Sequence, residues 1–592
     1  TTLTDCENKA AILVDPVGAI NSMQLGGATC EAYVNKANDT YSTTFTRVKN
    51  SGAITMKGAW TSSTIQIGGI LGINNHDHVI LNTCENSGTI TLVGSNGNAN
   101  VGGIVGNDDN NYLFDLDGCI NSGNIEYNAQ AKSMVRVGGM IGYRNVSKAT
   151  TVENCVNTGC ITIADQEYTA TDRHGLLVGG IIGYNNTANL SVLDCTNGYI
   201  KNGVIDATKG AITAGKAASG VSLAGIVSYS SSAITISGSK NYGTVKQTGI
   251  GGINKNFAAY IAGVFGKCAV GGINVTNCEN YGIVEYGEGL NAKDARVDVA
   301  GVVAFTQSTG NVITGCKNYG TINYKAKKTN AGEVTLSGIC GRPQSETLIE
   351  NCENHAPLYH KSNYTNGNVY VGGLVGSNRN IVYRCKNYGD VSSACVACTA
   401  EVTVRVGGIV GAAYPKTILC STVARCENFG NVKYSGDAKY DKVGGISAES
   451  FKTTTKFCVN NGDVSSTASA GETANGNVIP ESWVAGIVAY GKHDIICCDN
   501  KGNISSTGIT SGHTAGICAM PHSKLVIADC IEDPRNFGAL IRCAECAGAH
   551  GIISSLKNSA PVNADSIRSS AGALTRIPVA RVGSIRNTLK AL

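Results

Sequence analysis

The residues that could do chemistry in this chain are few and scattered. The densest acidic stretch is Asp108-Asp109 with Asp115 and Asp117, inside the oxygen-rich segment 107–118. Carboxylates gathered in one loop suit a hard cation such as Ca2+, which takes oxygen ligands. The Asp-x-Asp-x-Asp-Gly order with a distal glutamate is missing, however, and a solvated loop is the simpler expectation. His76-Asp77-His78 alternates as a strand would and sets two imidazoles on one side, but two ligands do not complete a transition-metal site. Among 24 cysteines, Cys395-x-x-Cys398 and Cys543-x-x-Cys546 are the pairs placed for local disulfides. They lie 145 residues apart, too far to share one zinc ion on successive parts of a rod. Polysaccharide cleavage needs a pair of carboxylates about 5–10 Å apart, which stacked rungs could assemble from residues distant in sequence, but no acidic pair recurs in register. The chain has no Gly-Lys-Ser/Thr loop, no Gly-x-Ser-x-Gly elbow and no His-Glu-x-x-His. The expectation is a non-enzyme with no catalytic residues and no cofactor, Ca2+ at the acidic loop apart.

One further set recurs. Tyr242, Tyr281, Tyr319, Tyr388 and Phe429 each stand between an asparagine and a glycine. If those turns stack, the rings form an aromatic line along one edge. Such a line binds sugars or a protein partner, or it packs on itself as a spine.

The elements that must position these residues are repeats. Val371-Gly372-Gly373-Leu374-Val375-Gly376 has close copies at 67–72, 101–106, 137–142, 178–183 and 406–411. Softer copies, some with Ala or Ser at the first glycine, bring the total to fourteen. A second landmark, Cys-x-Asn-x-Gly-x-Ile/Val, precedes each one, and its asparagine recurs every 32 to 44 residues. Between the landmarks, short alternating runs such as Val402-Thr403-Val404-Arg405-Val406 read as strands. Asn-x-Gly reads as a turn that tolerates positive φ, and the paired glycines as a bend or a close approach of backbones. Helical periodicity is scarce throughout. These signals predict an all-β fold, a right-handed parallel β-solenoid of about 14 coils with three short strands per coil. Twelve cysteines share one repeat position. Stacked about one rung apart with parallel Cβ vectors, they suit a ladder of buried free thiols better than disulfides.

Residues 1–50 read as a worn first repeat or cap, 51–540 as the repeats, with a last turn at Asn536-Phe537-Gly538, and 541–592 as a basic C-terminal cap or assembly segment. In that tail Lys557, Arg568, Arg576, Arg581, Arg586 and Lys590 face only Asp565 after residue 556. Charged residues are 15% of the chain and the net charge is +4, which gives no strong draw to nucleic acid. No apolar run reaches the roughly 18 residues of a membrane span. A neutral polar surface over a Val/Ile core, and a chain that starts at Thr1, suggest a trimmed, secreted or cell-surface protein.

The alternation of Val-Gly-Gly-Leu/Ile-Val-Gly with Cys-x-Asn-x-Gly-x-Ile resembles the GLUG-repeat family of secreted and surface proteins, over about residues 6–540. The resemblance implies a surface location and an adhesive or scaffolding role, and supplies no catalytic residues. Together these readings predict an extracellular adhesin stalk or fibre subunit. Its partners would be other copies, other surface proteins or glycans. The alternative is a carbohydrate-active β-helix enzyme or a carbohydrate-binding surface module.

Overall fold

A computed structural model of the 592-residue chain describes residues 1–20, 22–33, 42–60, 64–75, 78–95, 98–109, 113–130, 134–146, 148–166, 175–186, 189–217, 220–248, 258–287, 296–326, 332–344, 346–362, 367–378, 381–398, 402–414, 421–469, 471–473, 476–478, 481–491, 493–508, 511–521, 525–546, 549 and 551–591. His76 and Asp77 of the His-Asp-His motif lie outside them. Two compact units are present, Thr1–Met520 and Pro521–Leu592.

The first unit is a parallel β-solenoid of five sheets, each with fourteen strands. One coil shows the plan: Thr347–Glu350, Glu353–Asn354, Leu358–Ser362, Asn368–Gly372 and Val375–Asn378, numbered here as the first to fifth strands. Each strand pairs in parallel with its equivalents one coil away, so that Asn354 registers with both Asn318 and Asn387. The fold class and coil number follow the repeat pattern, but a coil carries five strands rather than three. The repeat asparagine, expected to open a turn, instead ends a two-residue strand of its own such as Glu353–Asn354. The run into the paired glycines breaks there into the fourth and fifth strands.

The corners also differ from expectation. Asn-x-Gly does not adopt positive φ. The left-handed residue is the one before each repeat cysteine, or before Val48 and Ser239 in the two coils without it, with φ between 50° and 63° in all fourteen coils, from Asp5 to Cys497. That position holds Asp, Asn and Gly but also Arg384, Arg425 and Phe457, so residue type alone did not mark it.

Glycines are needed instead for contact between coils. A Cβ on Gly320 would sit 1.9 Å from the Gly282 carbonyl oxygen. In the paired-glycine motif the second glycine never varies, although Ala or Ser replaces the first in six coils, at 224, 262, 300, 337, 485 and 515. A Cβ on Gly373 would lie 2.0 Å from the Gly408 carbonyl oxygen and 2.6 Å from the Asn387 side-chain carbon. The same pair of neighbours, the next glycine and the next repeat asparagine, closes over Gly69, Gly139, Gly301 and Gly445. The exception is Gly516, in the last coil, where nothing lies within 4 Å.

The bend at the paired glycines therefore reaches across the coil to the asparagine column of the second sheet. Two apolar columns flank this contact. One is built from the third and fourth strands, including Leu358, Val391, Val369 and Val404. The other comes from the fifth, first and second, including Val375, Ile349 and Cys352. On the outer side of the same bend, alternate residues of the fourth and fifth strands face one another. There Arg405 lies 4.8 Å from the Tyr370 ring centre and Lys442 3.6 Å from that of Tyr490.

The second unit is built differently. Three parallel strands, β1 (Leu525–Ala528), β2 (Gly551–Ser555) and β3 (Val579–Val582), pair in the order β1-β2-β3. Helix α1 (Pro534–Cys546) connects β1 to β2, α2 (Ala564–Ser569) connects β2 to β3, and α3 (Ile585–Ala591) follows. The turn expected at Asn536-Phe537-Gly538 is thus the first part of a helix, and the division of the chain falls after 520 rather than after 540. No helix among the described residues is long and apolar enough to cross a membrane.

The glycine contact is testable. Gly373→Ala should destabilise the solenoid by about 2–3 kcal/mol through overpacking, while Gly516→Ala, at the same position of the last coil where nothing lies within 4 Å, should cost less. Urea midpoints of the two variants, side by side, check the order.

Candidate functional site

The second unit places several exposed groups at the start of α1. Asp533 caps it: one carboxylate oxygen accepts from the Arg535 amide at 2.9 Å and its carbonyl accepts from the Phe537 amide at 3.0 Å. Pro534 takes the first helical position, where its missing N–H is no loss. Phe537, Ile541 and Ala544 form the buried stripe of the helix. Gly538 lets α1 approach α2 closely: a Cβ there would meet the Ser569 hydroxyl at 2.0 Å, and that hydroxyl donates to the Pro534 carbonyl at 3.2 Å. A capping box, with Asn563 accepting from the amides of Asp565 and Ser566, opens α2.

With its apolar stripe inward, α1 turns Arg535 and Arg542 to solvent, seven residues apart and so on one face. Arg568 and Arg586 are exposed as well, whereas Arg576 and Arg581 are engaged. Arg576 makes a two-point ion pair with Glu545 on α1, one contact at 2.8 Å. Arg581 donates to the carbonyls of Ser555 and Ser559 at 3.2 and 3.3 Å. A shallow groove of about 400 Å³ is lined by Val562 and residues 574–579.

Residues 523–592, almost the whole of this unit, match the SpoU rRNA Methylase family. The segment is 46% identical over 70 residues to a protein of Mycobacterium tuberculosis named as an uncharacterized tRNA/rRNA methyltransferase, covering 12% of this chain and 22% of that one. A similarly named protein of Mycobacterium avium is also 46% identical over 70 residues, which is 23% of its length. One from Mycobacterium sp. strain KMS is 47% identical over 66 residues, or 21% of its length. The chain thus spans about a fifth of the length of these relatives. No solved structure matches.

These similarities overturn the expectation of a non-enzymatic adhesin stalk or fibre subunit, and they give no support to the carbohydrate-active or carbohydrate-binding alternative. The cell-surface adhesin description conflicts with relatives named as RNA methyltransferases. So do the expectations of no enzyme, no nucleic acid, and other copies or surface proteins as partners. The basic tail, taken as a cap or assembly segment, is part of this similarity. The Asp-Pro helix start and the spacing of Phe537, Ile541 and Ala544 were the signals that could have marked a helical unit.

In the solenoid the candidate residues fall as follows. Tyr242, Tyr281, Tyr319, Tyr388 and Phe429 do stack, and His355 completes the column between Tyr319 and Tyr388, with centroids 4.7–4.9 Å apart. Each ring face is covered by the next ring, so ring edges are what reach solvent. A flat imidazole fills the same turn position, between Asn354 and Ala356, as well as a phenol does. The acidic residues do not converge. Asp108 is buried beside Arg144 and accepts from Asn74 at 2.9 Å, and burial pushes its carboxyl up to about 7. Asp109 accepts from Asn145, Asp117 from Asn154, and Asp115 lies 3.8 Å from His78. Among the described residues no group of three or more His, Cys, Asp or Glu is placed to hold a metal. Cys395, Cys398, Cys543 and Cys546 are all free thiols, the first two buried and the last two exposed on α1.

The solenoid interior also holds polar groups. Asp441, fully buried, accepts from the hydroxyls of Ser466 at 2.7 Å and Ser482 at 2.5 Å through one oxygen. Its other oxygen has no partner among the described residues, and burial pushes the carboxyl up to about 6 from an ordinary 3.8. The folded state therefore keeps a proton that the unfolded state has released. Stability falls as pH rises from about 4 to about 6, by about 3 kcal/mol, and the cost is fully present above that. Asp441→Asn should raise the melting temperature at pH 8 and leave it nearly unchanged at pH 4, which thermal scans at the two pH values check.

Proposed function

We propose that the chain takes part in RNA methylation, with residues 521–592 forming part of a methyltransferase domain. The observation that carries this reading is the 46% identity over 70 residues to proteins named as tRNA/rRNA methyltransferases, confined to the unit that folds apart from the repeats. The exposed pair Arg535 and Arg542 on one face of α1 fits it, since guanidinium groups free to face solvent bind phosphate in two-point fashion. The solenoid, on this reading, is a GLUG-type repeat domain carried on the same chain.

Methyl transfer needs a donor, of the S-adenosylmethionine class in such enzymes. The described residues of 521–592 do not frame a pocket for it. The groove at Val562 and 574–579 is shallow, and its basic group, Arg576, is occupied by Glu545. It offers no acidic side chain for a ribose.

The full chain should bind a tRNA or rRNA fragment with an affinity that falls as salt rises. Arg542→Glu should weaken that binding about tenfold and lower the salt slope by about one, with the fold kept because the side chain is exposed. Anisotropy titrations across salt concentrations measure both. Equal affinity of wild type and variant at every salt concentration would sink this role for α1, and no binding of either RNA would sink the reading itself.

A further inference from the structure

Cys395 and Cys398 occupy a setting unlike that of the other thiols. The ladder cysteines are held by their backbones: Cys316 donates to the carbonyls of Val275 and Thr314, both at 3.4 Å, and Cys385 to those of Ile349 and Tyr383, at 3.6 and 3.2 Å. Each sits just before the second strand of its coil, one coil from the next, and the spacing of paired parallel strands keeps their Cβ atoms wider apart than a disulfide allows. Cys395 ends the third strand of its coil and Cys398 lies three residues on, beyond a corner in which Ala397 has φ 53°. The Asp437 carboxylate pins that corner, accepting from the amides of Ala397 at 2.7 Å and Cys398 at 3.1 Å. The two thiols lie within interaction range of each other. On the coil before, His360 is 2% exposed, and its Nδ1 lies 3.7 Å from the Cys395 sulfur and 3.0 Å from the Ser393 hydroxyl. Its ring is held flat against Tyr324 at 5.0 Å. Cys395 is fully buried, Cys398 is 6% exposed, and Val396 between them is half exposed. The pair therefore lies just under the surface.

We propose that Cys395 and Cys398 form a reversible dithiol–disulfide site, closed by a peroxide-class oxidant, with His360 as the base that activates Cys395. The Cys395 proton passes to His360 Nδ1, and the thiolate attacks one peroxide oxygen. The O–O bond breaks, the departing hydroxide takes a proton and leaves as water, and Cys395 carries a sulfenic acid. The Cys398 sulfur then attacks the Cys395 sulfur. The S–S bond forms, the S–O bond breaks, and the second hydroxide leaves as water with the Cys398 proton. Two thiols are oxidised by two electrons and one peroxide is reduced to two waters. The second thiol and then the neighbouring imidazole hold the Cys395 thiol well below its ordinary range; neighbouring thiols do the same for Cys316 and Cys385, and what Cys395 has beside that is His360 within reach to take its proton.

The test uses the full chain. After brief treatment with hydrogen peroxide, unfolding and alkylation, peptide mapping should show loss of both alkylable thiols at Cys395 and Cys398. Dithiothreitol should restore them, while Cys316, Cys352 and Cys385 stay alkylable throughout. Cys398→Ser should leave a sulfenic acid on Cys395 that dimedone captures, and His360→Gln should slow closure at least about tenfold. If both thiols remain alkylable after peroxide, or are driven to sulfinic acid without pairing, the site is wrong. An unchanged rate in His360→Gln removes the histidine from it. Should that variant lose its circular-dichroism signature, the dimedone result in Cys398→Ser decides.

Discussion

The solenoid depends on one hydrogen bond made thirteen times. The side-chain Nδ2 of each repeat asparagine donates to the Oδ1 of its equivalent in the next coil, at 2.7–2.8 Å, from Asn8 to Asn500. The second N–H of the same amide turns to a backbone carbonyl of its own coil, two residues on in Asn387 to Gly389 at 2.8 Å and thirteen on in Asn197 to Gly210 at 2.9 Å. A primary amide buried without partners would be costly. Here both donors are satisfied, and the oxygen accepts from the coil before. This column crosses the middle of every coil, and the paired-glycine bend comes to meet it. Neither half works alone. With a side chain on the second glycine the bend could not touch the amide, and without the amide the glycines would close over a gap between the two apolar columns.

Most of the rod was legible because its signals are periodic. Parallel stacking repeats each local choice fourteen times, so the Asn, the Cys and the Gly-Gly pair stand out of loops of differing length. What could not be read was the reason for each. Glycine suggests freedom of φ, yet Gly320 and Gly373 answer to a neighbouring backbone. The residue that does need positive φ is variable: Arg384 and Phe457 sit there as firmly as Asn277. A register of contacts one coil away is invisible in a single repeat.

The second unit was misread for the opposite reason. Asn536-Phe537-Gly538 copies the repeat turn in three letters, and fourteen true copies made a fifteenth easy to accept. The Asp533-Pro534 cap and the helical stripe behind it carried the better signal. Its arginines were read as a uniform basic tail. The structure sorts them: Arg576 pairs with Glu545 and Arg581 with backbone carbonyls, while Arg568 and Arg586 stay exposed, as do Arg535 and Arg542 outside the counted tail. Charge in sequence could not separate these two duties, because the partner Glu545 lies 31 residues away.

The asparagine column has a sense of direction as well as a length. Every amide in it points its N–H toward the following coil and its oxygen toward the preceding one, so the thirteen bonds polarise one another in the same sense. Strand dipoles in a sheet add up to little, and this file of side chains does not cancel in that way. The rod thus has two electrically distinct ends, an oxygen-facing one at Asn8 and an N–H-facing one at Asn500.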